Sequence, residues 1–223
     1  MKNPSTPFLV LCVTAALSSP IVAQETRFYI KGDLGGNLTH DTGLREFFGE
    51  PLTAGTKIKF DPGVRFGITG GFRLTDWFST EIETGVMANY IDSITGATRV
   101  DDAVFSNVPL LVNARFQCPR LDLVTPYFGG GVGGSFPIID VDHIEIGDTR
   151  MHGYDSTVVF AYQAFAGLRF KLNHQMGLSL EYHYFHADGA EWEAESNHGA
   201  FTDKLRFAGT ETHSLSIAFD WRF

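Results

Sequence analysis

Apolar and polar residues alternate along most of the chain after residue 27, and the segment His213 to Phe223 shows this pattern most clearly. Its apolar positions are Leu215, Ile217, Phe219, Trp221 and Phe223, and they are separated by Ser214, Ser216, Ala218, Asp220 and Arg222. Because successive side chains of a strand point to opposite faces, the segment predicts one strand with an apolar face and a polar or small face. A soluble sheet would bury such an apolar face, whereas a membrane barrel would turn it to lipid.

Seven earlier segments repeat this alternation, which predicts eight strands. Their approximate bounds are Arg27 to Leu34, Gly63 to Leu74, Phe78 to Ile91, Val104 to Phe116, Pro126 to Phe136, Val158 to Phe170, Gly177 to His186 and His213 to Phe223. Most are roughly 10 residues long, the length that a tilted strand needs to cross a bilayer. Pro109 cannot donate to a strand ladder, so it predicts a bulge or a local break in the fourth strand.

The joins between the predicted strands alternate in length. The second, fourth and sixth joins are short or moderate, and the other four are longer, polar loops. A meander with all its long loops at one end is typical of outer-membrane barrels, in which the short turns face the periplasm. The fold class predicted is therefore all-β: an eight-stranded antiparallel up-and-down transmembrane β-barrel, closed by pairing of its first and last strands, with both termini periplasmic.

Charged residues are confined to one face of the predicted strands. Lys31, Arg65, Arg73, Arg115, Arg169 and Arg222 share this face with Asp33, Glu81, Glu83, Glu181 and Asp220. Eleven charges in a soluble core would be very costly, and charge on a lipid-facing surface would cost roughly 2–4 kcal/mol at the bilayer midplane. The pattern predicts a barrel lumen that holds these side chains as a charge network.

The N-terminal region is typical of a secretory signal. Lys2 precedes an apolar run that ends at Ser18, and Ala23 provides a cleavage position. We therefore predict a signal peptide at residues 1–23 and an outer-membrane β-barrel domain at residues 24–223. The run is too short to span a bilayer as a helix.

Composition narrows the classes further. Without Lys2 the chain carries 16 basic and 26 acidic side chains, which argues against nucleic acid as a partner. Its only cysteine after residue 23 is Cys118, so no internal disulfide is expected. The mean hydropathy is close to zero, as expected when polar interior residues offset lipid-facing ones.

Four motifs resemble one family of membrane proteins. They are Val108-Pro109-Leu110-Leu111 with Asn113, Pro126 to Gly133, Ala164 to Arg169, and Trp221-Arg222-Phe223. In these motifs the chain resembles the bacterial outer-membrane β-barrel family that includes the OmpA-type transmembrane domain and the opacity-protein-like porin superfamily. The resemblance implies residence in the cell outer membrane and marks Phe223 as the signal read by the barrel-assembly machinery.

The expected partners are outer-membrane lipid and lipopolysaccharide, with the protein a monomer and no cofactor. An eight-stranded barrel is just wide enough for side chains to fill, so eleven charges predict a plugged lumen and a structural or surface-interaction role. That role could be envelope integrity or adhesion through the outer loops. A small porin-like channel is the alternative.

An enzyme that modifies lipid A is a further alternative, with Glu81, Glu83, Glu181 and His183 as the acid and base candidates. However, His186 is followed by Ala187 and Asp188 and not by a serine nucleophile, so no catalytic residue is assigned. Acidic residues cluster at 140–148 and at 188–195, but their spacing matches no calcium-loop pattern, and no metal site is predicted.

Overall fold

A computed structural model describes residues 27–47, 50–51, 56–95, 99–118, 123–146, 149–196 and 203–223. These residues form strands and turns and no helix. In this part of the chain there is no helix of sufficient length and apolarity to cross a membrane. The predicted signal peptide at residues 1–23 lies outside the described residues, so that prediction and the domain boundary after it stay untested.

Eight antiparallel strands form a closed barrel, as the sequence predicted. They are β1 (Phe28–Thr39), β5 (Gly63–Arg73), β6 (Phe78–Ile94), β7 (Arg99–Gln117), β8 (Val124–Ile146), β10 (Val159–Lys171), β11 (Met176–Ala187) and β14 (Thr210–Arg222). Each strand pairs with the next of this set along the chain. β14 pairs with β1 in a register that places Leu34 opposite Ile217, and this pairing removes the sheet edges.

Six further strands lie between the barrel strands, and they correct the prediction of long irregular loops. They are β2 (Thr42–Phe47), β3 (Glu50–Pro51), β4 (Lys57–Phe60), β9 (Thr149–Ser156), β12 (Glu191–Ser196) and β13 (Asp203–Phe207). Five of them join the extended ends of β6, β7 and β8 in a second closed ring. Its order is β6, β4, β2, β13, β12, β9, β8, β7 and back to β6, with β3 paired to β2 alone. We call it the upper ring.

The upper ring continues the barrel wall across a line of short interruptions, which we call the seam. Three of the eight strands around the wall, β6, β7 and β8, cross the seam without a break, because they belong to both rings. The other five break at residues 40–41, 61–62, 157–158, 188–190 and 208–209. Backbone hydrogen bonds join residues of the breaks to neighbouring strands, such as His40 N to Glu211 O at 2.9 Å and Ala208 N to Gly43 O at 2.9 Å. The seam is therefore a bend in a bonded wall.

The two ends of the barrel differ in their connections. The joins after β5, β7 and β10 are short, and Phe28 and Phe223 lie at the same end, with Phe223 N donating to Phe28 O at 3.2 Å. We call this the short-turn end and the opposite end, which carries the upper ring, the long-strand end. The predicted segregation of joins by length is thus confirmed.

The two faces of the barrel wall follow the predicted alternation. Aliphatic side chains such as Ile82, Val112, Leu215 and Ile217 point outward and are exposed. Aromatic side chains border this apolar band: Phe28, Phe72, Trp77, Phe116 and Phe128 at the short-turn end and Tyr90 and Tyr162 nearer the long-strand end. An apolar band between aromatic girdles is the outer surface of a membrane β-barrel.

Pro109 interrupts one ladder without changing its register. The β6–β7 pairs stop at Thr84↔Leu110 and resume at Met87↔Asn107 with the same offset. On its other side Pro109 pairs with Ser135 of β8 without a shift. The predicted local break is therefore present, but it contains no extra residue and is not a bulge.

Candidate functional site in the barrel lumen

The lumen is the candidate functional site, because the charged residues singled out in the sequence point into it. Nine of the eleven are buried: Lys31, Asp33, Arg65, Glu81, Glu83, Arg115, Arg169, Glu181 and Asp220. Strand alternation places them there, since each occupies an inward position of its strand. We call these nine residues the charge network.

Glu181 on β11 is one centre of the charge network. Its carboxylate accepts two hydrogen bonds of 3.0 Å from Lys31 Nζ, one from the Tyr127 hydroxyl, and one of 3.0 Å from His183 Nε2. All four residues are buried. Charge-assisted hydrogen bonds of this kind offset the cost of removing the charges from water.

Glu83 on β6 forms the second centre. It accepts hydrogen bonds from Arg65 Nη2 at 2.5 Å, Asn113 Nδ2 at 2.8 Å and Gln163 Nε2 at 2.6 Å. Arg65 also donates from Nε to Asp33 Oδ1 at 2.8 Å, so one guanidinium joins two carboxylates. This group links four neighbouring strands and β10 across the lumen.

Two further arginines complete the charge network towards the short-turn end. Arg115 donates to Glu81 at 3.3 Å, Tyr29 also donates to Glu81, and the Arg115 guanidinium lies 3.8 Å from the centre of the Tyr127 ring. Arg169 makes a two-bonded pair with Asp220, with both distances at 2.7 Å.

Arg73 and Arg222, the other two predicted members, are only half-buried. Arg222 Nε lies 3.7 Å from Asp220 Oδ2. Both side chains lie where the lumen opens at the short-turn end. The structure therefore places them at its mouth, whereas the other nine lie within it.

Glycine makes room for the large side chains of the charge network. A Cβ atom at Gly167 would lie 2.5 Å from the Tyr127 hydroxyl, and one at Gly67 would lie 2.0 Å from Asp33 Oδ2. A side chain at Gly67 would displace Asp33 of the charge network, and one at Gly167 would displace Tyr127, which donates a hydrogen bond to Glu181 of that network. Glycine is thus needed at both positions for close approach inside a narrow barrel.

An apolar layer lies above the charge network on the side of the long-strand end. Met87, Leu111, Ala161, Phe185 and Ala187 form this layer. Hydroxyl and amide side chains continue the filling: Thr39 bonds Asn89 at 2.9 Å and Thr212 at 3.0 Å. Side chains of three different chemistries thus succeed one another along the lumen.

Tyr29, Tyr127, Asn113, Gln163 and His183 bond the charge network but were not predicted as members. Strand alternation could have revealed four of them, since Tyr29 alternates with Lys31 and Asp33, Asn113 with Arg115, Gln163 with Arg169, and His183 with Glu181. Their partners could not be read in this way, because pairing across the lumen depends on the register and curvature of the whole barrel.

The acid and base candidates of the sequence are not arranged around an accessible cleft. Glu81, Glu83, Glu181 and His183 are each at most 1% exposed. Their carboxylates are bonded to cationic or amide side chains, so they present no surface to a substrate. In the described ranges, no group of three or more His, Cys, Asp or Glu side chains could hold a metal ion.

A second polar cluster lies outside the barrel at the seam. Glu211 on β14 lies between two histidines, 3.6 Å from His40 Nδ1 and 3.9 Å from His186 Nδ1. His213 Nδ1 is 2.6 Å from the Tyr182 hydroxyl. The outward surface around Glu211 is therefore polar where the barrel wall meets the upper ring. Most side chains of the acidic stretches at 140–148 and 188–195 lie outside the described residues.

Together, the closed antiparallel wall, the apolar outer band and the charged lumen define a membrane-spanning β-barrel. The sequence-family model of the outer membrane protein beta-barrel domain matches residues 8–223, so the chain belongs to this family. This result confirms the resemblance found in the sequence and places the protein in the bacterial outer membrane. Uncharacterized proteins from Brucella abortus (strain 2308) and Brucella suis biovar 1 (strain 1330) are each 26% identical, with 81% of this chain and 79% of theirs covered.

Solved structures show the same fold at low sequence identity. Neisserial surface protein A has a TM-score of 0.60 at 12% identity and covers 90% of this chain and 99% of its own. OprG from Pseudomonas aeruginosa has a TM-score of 0.57 at 13% identity, with 89% and 97% covered. The outer membrane protease OmpT from Escherichia coli has a TM-score of 0.56 at 6% identity, with 91% and 99% covered. Since one of these barrels is a protease, the fold alone does not determine the function.

Proposed function

We propose that this protein is a non-conducting outer-membrane barrel that contacts its surroundings through the upper ring. In this proposal the short-turn end and both termini face the periplasm, and the upper ring lies outside the cell. The observation that carries the proposal is the succession of inward-pointing side chains along the lumen: the charge network, the apolar layer, and the hydroxyl and amide side chains around Thr39. An eight-stranded barrel has no spare width around such side chains.

Strand length supports a role outside the membrane. β8 contains 23 residues, which corresponds to about 75 Å at 3.3 Å per residue. The apolar band of an outer-membrane barrel is only about 25 Å tall. Even a strongly tilted strand of this length projects well beyond the bilayer, so much of the wall serves as an exposed surface. The polar cluster around Glu211 lies at the base of that surface.

Planar-bilayer recording tests the plugged lumen. The folded protein should give no reproducible open level under conditions in which an open porin inserted as a control conducts. A stable open level, with an ion selectivity that changes in Lys31→Gln, would contradict the plugged lumen and support the channel alternative.

Thiol labelling of intact cells tests the orientation. Cys118 is exposed at the short-turn end, so a membrane-impermeant maleimide should label it only after the outer membrane is permeabilised. The matched variant carries Cys118→Ser together with Asp188→Cys, because Asp188 is exposed at the seam. That variant should be labelled in intact cells, and the reverse pattern would refute the orientation.

Phe223 is the residue through which we propose that the barrel-assembly machinery recognises this protein. Its side chain is half exposed at the short-turn end, next to the backbone of Phe28. An accessible terminal aromatic is compatible with its predicted use as an assembly signal. Lipopolysaccharide is the expected neighbour of the outer leaflet, and the protein is proposed to act as a monomer.

A further inference from the structure

A groove of about 970 Å³ crosses the outer wall of the barrel from the short-turn end towards mid-membrane. Trp77 and Gln117 lie at its short-turn end, and Tyr182 and Leu215 lie at the other. Ala166 and Gly167 form the recessed part. On either side of Ala166 in the cross-strand row are the larger Phe128 and Tyr182. The recess exists because the small Ala166 lies between these two aromatic neighbours.

The lining determines what kind of molecule fits. Most lining residues are apolar. Gln117, which donates to Asp76 O at 2.8 Å, and the exposed Cys118 thiol lie at the short-turn end, and the Tyr182 hydroxyl at the other end is bonded to His213 at 2.6 Å. The groove is also continuous with the lipid-facing band formed by Leu168, Leu180 and Leu215. This lining fits a lipid whose headgroup lies at the rim, beside Gln117 and Cys118, and whose chains lie along the apolar part towards the bilayer centre.

We propose that this groove is a binding site for one glycerophospholipid of the periplasmic leaflet, with an acyl chain lying over Ala166 and Gly167. The assignment to that leaflet rests on the orientation proposed above. Its volume lies within the range of specific small-molecule sites, about 300–1,000 Å³. An acyl chain in the groove makes dispersion contacts on several sides, whereas an ordinary boundary lipid touches a convex wall on one side.

The test fills the groove and leaves the rest of the wall unchanged. Ala166→Phe inserts a ring into the recess, and the matched control Ala88→Phe adds the same ring at an outward position of β6, which does not line the groove. Wild-type protein, refolded in vesicles of phosphatidylethanolamine and phosphatidylglycerol, is extracted in mild detergent and examined by native mass spectrometry. Wild type and Ala88→Phe should retain one phospholipid, and Ala166→Phe should retain it at least 5-fold less often.

Fluorescence gives a second measurement that does not depend on extraction. In a Trp192→Phe, Trp221→Phe background, Trp77 at the groove mouth reports on lipids brominated in the acyl chain. Quenching should saturate at a lower fraction of brominated lipid than random contact predicts, and Ala166→Phe should abolish this preference. Equal lipid retention in Ala166→Phe and wild type, or a second copy of the chain in the groove, would overturn the proposal. The labelling of Cys118 in intact cells tests the proposed orientation independently. A barrel inserted the other way round would therefore contradict the proposed orientation without contradicting lipid binding in the groove.

Discussion

Ile217→Lys should destabilise the folded barrel by about 2–4 kcal/mol, because it places a charge near the middle of the lipid-facing band. Ile217 lies on β14 between Leu215 and Phe219 and is 59% exposed. In a protein surrounded by water, such an exposed position would accept lysine at little cost. The expected loss therefore arises from the surrounding medium and not from lost packing within the protein.

Leu172→Lys is the matched control. Leu172 is 58% exposed, almost the same as Ile217, but it lies in the short join between β10 and β11, outside the apolar band. Its replacement should change stability by less than about 1 kcal/mol, the range found near the membrane interface. Urea unfolding in lipid vesicles, with folded and unfolded forms separated by gel mobility without boiling, measures both variants. Equal small effects would show that the outward face of β14 does not contact lipid.

Glu181→Gln should be at least as damaging, with an expected loss of about 3–5 kcal/mol. Glu181 is fully buried and accepts hydrogen bonds from Lys31, Tyr127 and His183. The neutral amide leaves the buried Lys31 ammonium without its counter-charge. Removing one partner of a buried pair costs more than removing both, so Lys31→Met combined with Glu181→Gln should recover most of the loss.

The exposed pair Arg206–Glu191 provides the contrast for this double-mutant cycle. Its N–O distance is 2.6 Å, shorter than the 3.0 Å between Lys31 and Glu181, but both side chains are about half exposed. Glu191→Gln should therefore cost less than about 1 kcal/mol. Unfolding free energies of the single and double variants give the coupling. A coupling between Lys31 and Glu181 below 1 kcal/mol would mean that the lumen is hydrated and that these charges are already screened.

The barrel itself could be predicted because period-2 alternation is a local signal. Each strand crosses the same apolar band and faces the same lumen, so the sides to which Ile217 and Asp220 point follow from parity alone. Closure of the barrel by its first and last strands was predicted from the even number of strands and from the alternation of short and long joins. The family match and the pairing of β14 with β1 confirm these steps.

The length of the wall beyond the predicted strands could not be predicted in this way, for two physical reasons. Residues 35–37, Gly-Gly-Asn, are typical of a turn, yet they continue β1. Gly35 is needed there for close approach, since a Cβ atom would lie 2.2 Å from Leu215 O. In β8 the register shifts between Val141 and Ile144, which disrupts the alternation in a stretch whose acidic composition already suggested a loop.

The contacts of the charge network were the least accessible to sequence analysis. Parity placed Lys31 and Glu181 on inward faces, but they are 150 positions apart and meet only because the barrel closes. Which anion pairs with which cation depends on the stagger of the strands, which alternation does not encode. The same holds for Tyr127, whose ring lies beside Gly167 on another strand.

The seam separates two parts of the chain that can change independently. Below it, strand length and parity are fixed by the bilayer and by the packed lumen. Above it, five of the eight places around the wall are occupied by a new strand that begins after a break. An insertion, deletion or altered register there need not be transmitted to the strands below. Natural variation in this protein should therefore accumulate beyond the breaks. In the proposed orientation, a foreign peptide for display on the cell surface is best inserted there, away from the three continuous strands.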